Sequence, residues 1–415
     1  MNPLSYLSTK VKDQQGVTVI IVALLIVVFI GFAALAVDIS HLYVVRNELQ
    51  NAADAGALAG ARLLYNDDGL SVNEGANQIG HNAAIANKSE KVPVDVHWNG
   101  GNTGDVERGH WSFATRTFTP NDSTLPVELW DRTAAELDVD PDFINAVKVK
   151  TRREDTPAAS FFAGIFGRQN FPLSAEAIAY IGFAGGMVKV DEPIVICKEA
   201  IMMPNGGYTC GVGRMINSGG NIGHQTGGWT NFTQPCETAS DSSVRPYVGK
   251  GNPVEIKLHQ EMGTTGGMLQ SAFDDLLRGW KEQTNLDTDG DNIPDQPWTV
   301  TLPVVRCEGN NISPCSYVTG YLVTKILWIT RTDKNQMKEV PKKMQDWSCP
   351  SGSTPQQCWD SFVDKFQLKD VLNKSPATYE DKTIYFLPDC EYHEPKGRAG
   401  GDNFGILSNI PVLVK

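Results

Sequence analysis

The chain has no cysteine in its first 196 residues and carries fewer basic than acidic side chains, 36 Lys and Arg against 48 Asp and Glu in 415 residues. The resulting net charge of -12 argues against nucleic-acid binding, which needs a basic face for the phosphates. The common signatures of catalysis are also missing. There is no G-x-S-x-G, H-E-x-x-H, Walker A or dinucleotide G-x-G-x-x-G. Two histidines come nearest to a site. His224 sits in a Gly-rich loop close to Trp229, and His393 lies between Glu391 and Glu394 beside Cys390. Both read more simply as loop residues, so the expectation is a non-enzyme with no small-molecule substrate. A secreted hydrolase built on either histidine is the distant rival. Glycine and proline are too few for a collagen-like or wholly disordered chain. Hydrophobic residues make up 41%, enough to bury a real core, and the length allows two or three domains at about 150 residues each.

One run is free of charge altogether. Val17 to Val37 reads VTVIIVALLIVVFIGFAALAV. As a helix it spans about 31 Å, close to the apolar thickness of a bilayer. A soluble helix keeps a polar stripe, and this segment has none. A cleaved signal peptide is the alternative, with Ala34-Leu35-Ala36 as the cut, but the apolar run is long for one. A prepilin leader cut after Gly16 is the other; Ile21 stands where such leaders usually carry Glu. The expected reading is an uncleaved anchor. Lys10 and Lys12 precede the span and only Arg46 closely follows it, which puts residues 1–16 in the cytoplasm.

Nothing breaks a helix between Val37 and Gly56, so one continuous helix is expected from about Val17 to about Leu64. Ala52, Gly56 and Gly60 recur at four-residue intervals on one stripe, where small side chains admit another backbone. The stripe fits packing on the protein's own sheet at least as well as packing on another subunit. Gly16 ahead of the span, Ala36-Val37-Asp38 at its exit, Tyr43, and the run from Leu49 through Gln50, Asn51, Ala52, Ala53, Asp54, Ala55, Gly56, Ala57 and Leu58 to Ala59 together resemble the N-terminal domain of Tad/Flp pilus-assembly proteins, TadE/TadG-like, over roughly residues 14–62. The resemblance implies a bacterial inner-membrane protein with an extracytoplasmic body, working in tight-adherence pilus assembly or secretion. Its partners would be the inner membrane and other assembly or pilin subunits, met through the N-terminal helix. A processed minor pilin or surface adhesin is the alternative. Some TadG-like members carry a von Willebrand A domain with an Asp-x-Ser-x-Ser metal site. The nearest string here, Asp38-Ile39-Ser40-His41, lacks the second Ser.

Past the helix, Val92 to Trp98 and Ala146 to Thr151 alternate like half-buried strands, and Ala175 to Ile181 reads as another. Phe161 to Gly167 (FFAGIFG) is a short apolar patch, a core segment or an exposed docking site, with core the expected reading. Gly185-Gly186 marks the expected boundary between an α+β body at 65–186 and a module at 187–415. The expected class is α+β: a long N-terminal transmembrane helix (17–37, continuing through 38–64), a pilin-like β-rich body and a disulfide-rich C-terminal module. The last residues, GILSNIPVLVK, read as a final strand tying the C-terminus into the body.

All eight cysteines fall in that module: Cys197, Cys210, Cys236, Cys307, Cys315, Cys349, Cys358 and Cys390. An even number beyond a membrane anchor reads as disulfides in an oxidising compartment. Short loops close most cheaply, which favours Cys307 with Cys315 and Cys349 with Cys358. Zinc is a weak rival, because no C-x-x-C pair accompanies Cys390 and His393.

The sharpest chemical motif is NLDTDGDNIPDQPW, residues 285–298. Asp287, Asp289 and Asp291 stand at positions 1, 3 and 5 of a calcium loop, the carbonyl of Ile293 at 7 and Asp295 at 9. Asn292 replaces the usual Gly at position 6, and Trp298 stands where an EF-hand has its bidentate Glu. The loop resembles the Asp-rich loops of thrombospondin type 3 repeats. A structural calcium ion is expected, set between a helix at Met268–Gln283 and a strand at Trp298–Val305.

Overall fold

The structure, a computed structural model, describes residues 15–415 apart from 127–128, 130–131, 188, 204–206, 208, 210, 218–225, 284–285, 308–310, 332–336, 371–374, 390 and 392. Cys210, Cys390 and His224 therefore lie outside the described residues.

Helix α1 runs unbroken over Gln15–Arg62, 48 residues and about 72 Å. Its two halves live in different surroundings. From Val19 to Val37 the large apolar side chains are exposed all round. From Val45 onward Leu49, Ala52, Ala53, Ala57 and Ala61 are fully buried. That second half lies on an antiparallel sheet of β1 (Val106–Ser112), β2 (Thr117–Pro120), β3 (Ala146–Ala159) and β4 (Asn170–Tyr180), with β3 paired to both β1 and β4. The alternation of AVKVKT sets the faces. Val147, Val149 and Thr151 turn inward to the helix, and the Thr151 hydroxyl donates to the Leu49 carbonyl at 2.8 Å. Lys148 turns outward and pairs with Glu107.

A second helix, α2 (Ala76–Ile85), crosses α1 and buries Ala76, Gly80 and Ala84. Val92 to Trp98 does not form the expected full strand. Only Val92–Pro93 is in strand form, and Asp95 makes a single bridge to Arg152.

The remaining chain builds a second sheet. It contains β5 (Ile194–Cys197), β6 (Arg214–Asn217), β7 (Gly227–Thr230), β8 (Glu261–Thr265), β9 (Trp298–Val305), β10 (Cys315–Thr330) and β11 (Thr383–Pro388) in the order β8-β7-β5-β9-β10-β11-β6. Strand β8 also pairs with the start of β10, so five strands close on themselves. The β5–β9 pair is parallel, the other named pairs antiparallel. Helices α3 (Gln270–Lys281) and α4 (Pro355–Phe366) cover it through Phe273, Leu276, Trp280, Trp359 and Phe362. Strand Trp298–Val305 and the helix before it fall where the sequence places them.

The chain then returns. Arg398–Ala399 pairs with Ala184–Gly186, and the last strand, Val412–Leu413, joins the first sheet beside β4. The C-terminus is tied in as expected, but by a short edge strand instead of a core one.

Candidate functional site

Three places carry chemistry: the junction where α1 meets the body, the bridged sheet, and the acidic loop.

At the junction Asp38, the first polar residue after the apolar run, is only 3% exposed. Its carboxylate accepts the Ser160 hydroxyl at 3.0 Å and the backbone N–H groups of Phe161 at 2.8 Å and Ala163 at 2.6 Å. Phe162 N–H adds a third backbone bond at 3.1 Å. One turn later His41 Nε2 meets Glu90 at 2.6 Å, and Glu90 also lies 3.2 Å from Arg153. Glu48 accepts from the Ser89 hydroxyl and the Glu90 amide. Together these groups clamp α1 to the β3–β4 hairpin and to the turn at residues 88–93. Phe161 to Gly167, expected in the core, is the exposed tip of that hairpin. Its segment Ala163–Phe166 is a single 3-10 turn. The sequence misread it because an apolar string does not say which way it faces. Asp38 entered the sequence reading only through the Ala36-Val37-Asp38 motif at the span's exit, which says nothing of its partners.

The small-residue stripe packs inside the chain. A Cβ on Gly56 would lie 2.9 Å from the Gly80 carbonyl oxygen and 3.0 Å from Val149; one on Gly60 would lie 2.9 Å from Val147. Ala52 is buried against Val45, Leu49 and Val94.

The bridged sheet corrects one pairing. Cys197 is bonded to Cys307, with Cα atoms 5.5 Å apart, and Cys236 to Cys315. The expected pairing of Cys307 with Cys315 is therefore overturned. The parallel register of β5 and β9 sets Cys197 opposite Val305, two residues before Cys307, and this tertiary proximity outweighs the cheaper short loop. Cys349 and Cys358 pair as expected.

In the acidic loop Asp287, Asp289 and Asp295 each bring a carboxylate oxygen within 4.8 Å of the others. Asn292 has φ +62°, the left-handed conformation its position requires. Asp287 accepts the N–H groups of Gly290 and Asn292 at 2.7 and 2.9 Å. Burial opposes its ionisation, but these bonds and that from Asp289 outweigh it and hold the carboxyl below the usual range. Asp295 is buried and accepts the Thr288 amide and hydroxyl, with Lys343 3.6 Å away. Asp291 stands outside the group of three. Burial first, then Asp289, push its carboxyl up, and Lys342 lies 3.9 Å from it. Ile293 donates its N–H to Asp291 and packs on the core.

Two further features bear on function. A cleft of about 940 Å³ is lined by Glu192, Arg245, Asp275, Arg278 and Trp298 among others. Burial pushes the Glu192 carboxyl up to about 7, against the Gly249 N–H that it accepts. His393 lies 3.4 Å from Asp389, which also binds Lys325, so a polar cluster stands where the sequence suggested a solvated turn.

Residues 16–63 match the family described as putative Flp pilus-assembly TadE/G-like, and residues 59–179 match putative Tad-like Flp pilus-assembly. Residues 16–179 belong to the Tad/Flp pilus-assembly family. The Tad-like region thus takes in α1, α2 and the sheet up to the last residue of β4. The bridged sheet and the acidic loop lie beyond both matches. No curated protein and no solved structure matches the chain.

Proposed function

We propose that the protein is a non-catalytic component of a Tad/Flp pilus assembly or secretion apparatus, anchored in the inner membrane. Residues 1–16 lie in the cytoplasm and the body in the periplasm. One observation carries the reading: within the Tad-like region a single helix exposes an apolar half long enough to cross a bilayer and packs on the body's sheet with its other half. The disulfides support an oxidising compartment. Lys10 and Lys12 support the orientation.

The acidic loop takes calcium as a structural ion in this reading. Asp287, Asp289 and Asp295 hold it, the Ile293 carbonyl adds a ligand, and Asp291 joins them by turning away from Lys342. Calcium–oxygen distances of roughly 2.4 Å suit oxygens that lie within about 5 Å of each other.

The same half-free helix favours a second reading, a minor pilin or adhesin that leaves the membrane with the fibre. Gene deletion tests the main proposal. A strain without this protein should lose surface pili, and the full chain should restore them. A chain beginning at Asp38 and exported by a cleavable leader should reach the periplasm but restore nothing. Normal piliation in the deletion strain would overturn the proposal.

A further inference from the structure

The tip of the β3–β4 hairpin bears three large apolar side chains that stay exposed. Ile165 is 80% exposed, Phe161 65% and Phe162 41%. A soluble loop of this length has no reason to display them together. The tip is also stiff. Ser160 N–H donates to the Gln169 carbonyl at its base, Ile165 N–H to Phe162 and Arg168 N–H to Ala163. Gly167 closes the turn at φ +80°.

Its position is set by α1. Asp38 directly follows the last residue of the apolar run and holds the backbone of Phe161, Phe162 and Ala163. The His41 ring packs on Phe161, centroids 4.7 Å apart. The tip is therefore fixed at the level where α1 leaves the bilayer. Around it the helix is apolar and exposed, through Leu35 and Val37 before Asp38 and Ile39 after it.

We propose that residues 160–169 seat in the interfacial layer of the bilayer that α1 crosses. The occupant of this apolar tip is lipid. The tip continues the lipid-facing surface of α1, and its chemistry suits that depth. Apolar side chains such as Phe and Ile bury just below the headgroups, at the acyl boundary, when carried on a surface-lying segment. The exposed Arg168 follows them in position to reach lipid phosphates with its stem along the apolar surface. Two points of contact, α1 and the tip, then fix the tilt of the body over the membrane, where a single helix would leave it free to swing. The inference rests on the membrane-anchor reading.

The test uses the full chain in liposomes of phosphatidylethanolamine and phosphatidylglycerol, with an environment-sensitive fluorophore on one introduced thiol. No cysteine is free among the described residues, and the unsubstituted chain labelled under the same non-reducing conditions gives the background to subtract. Three variants are compared: Ile165→Cys at the tip, Ile26→Cys within the span, and Phe113→Cys at the opposite end of the sheet, where Phe113 packs on Tyr180. The expected result for Ile165→Cys is blue-shifted emission, loss of iodide quenching and quenching by lipids that carry a nitroxide near the headgroup. Phe113→Cys should stay open to iodide. If the Ile165 label is quenched by iodide while the Ile26 label is protected, the tip does not touch lipid and the inference fails with the anchor intact. Protection from both quenchers would mean that protein covers the tip, which also overturns it. If both labels are open to iodide, the anchor reading itself has failed.

Discussion

Where α1 meets its sheet small side chains come together, Ala53, Ala57, Ala61, Ala76, Ala84, Val147 and Val149, beside larger ones such as Phe143 and Phe183. In the sheet beyond residue 194 the core is made of large ones, with Trp280 against Trp328, Trp328 against Phe362, and Trp359 against Tyr385. The first region brings backbones together, down to the approach of Gly56 to Gly80, and has no cysteine. The second joins distant strands through wide rings and needs bridges to hold its long loops. The Tad-like region can thus be specified by a short pattern of Ala and Gly. The second region depends on long-range pairing that no local pattern announces.

Disrupting the bridges should separate the two regions most sharply. Replacing Cys197 and Cys307 together by Ser opens a loop with a sequence separation of 110. The expected loss is about 5 kcal/mol on chain-entropy grounds. Limited proteolysis should then cut the second sheet first and leave residues 16–179 intact. Simultaneous digestion of both would mean that they fold as one unit through the returning C-terminal strand. Next comes Gly56→Leu, which drives a side chain into Gly80 and Val149 and should cost about 3 kcal/mol or more. The loss should appear as protease sensitivity in the Tad-like region. Gly31→Leu is its control: nothing lies within 4 Å of that position, so stability should hardly change.

Much of the first region is legible in the sequence. The expected helix from Val17 to Leu64 is found at Gln15–Arg62, because an uncharged run followed by Ala-rich sequence has no other low-energy form in or beside a membrane. The alternation from Ala146 to Thr151 and the strand Trp298–Val305 also read directly. Less was legible where the outcome depends on a remote partner. Cys307 pairs with Cys197 because two strands lie parallel, and chain length alone pointed to Cys315. Phe161 to Gly167 reads as core by composition, yet Asp38 draws it to the end of the apolar half of α1. In the acidic loop the spacing brings carboxylate oxygens of Asp287, Asp289 and Asp295 within 4.8 Å of one another. The turn of Asp291 toward Lys342 depends on a loop some fifty residues away.

Two smaller effects sharpen the contrast within the second region. Glu192 ordinarily titrates at 4.5 and burial raises it to about 7. Between those values the folded chain holds a proton that the unfolded chain has lost, so stability falls as pH rises through that window. Above about pH 7 the full cost, on the order of 3 kcal/mol as an upper bound, is present. Glu192→Gln should therefore raise the thermal midpoint at pH 8 and leave it nearly unchanged at pH 4.5. No gain at pH 8 would remove Glu192 as a source of strain. The smallest effect belongs to calcium. At a concentration tenfold above its Kd the ion adds about 1.4 kcal/mol. Asp289→Ala should lower the midpoint in calcium and hardly at all in chelator. Equal losses in both would exclude a structural ion.

The most direct test of the account is the intact, non-reduced mass of the native protein, taken from membranes and from sheared surface material. The account predicts the full-length chain in membranes alone, lighter by two hydrogens for each disulfide. A species beginning at Val17 or near Val37 in the sheared fraction would contradict it and make the protein a processed subunit of the fibre.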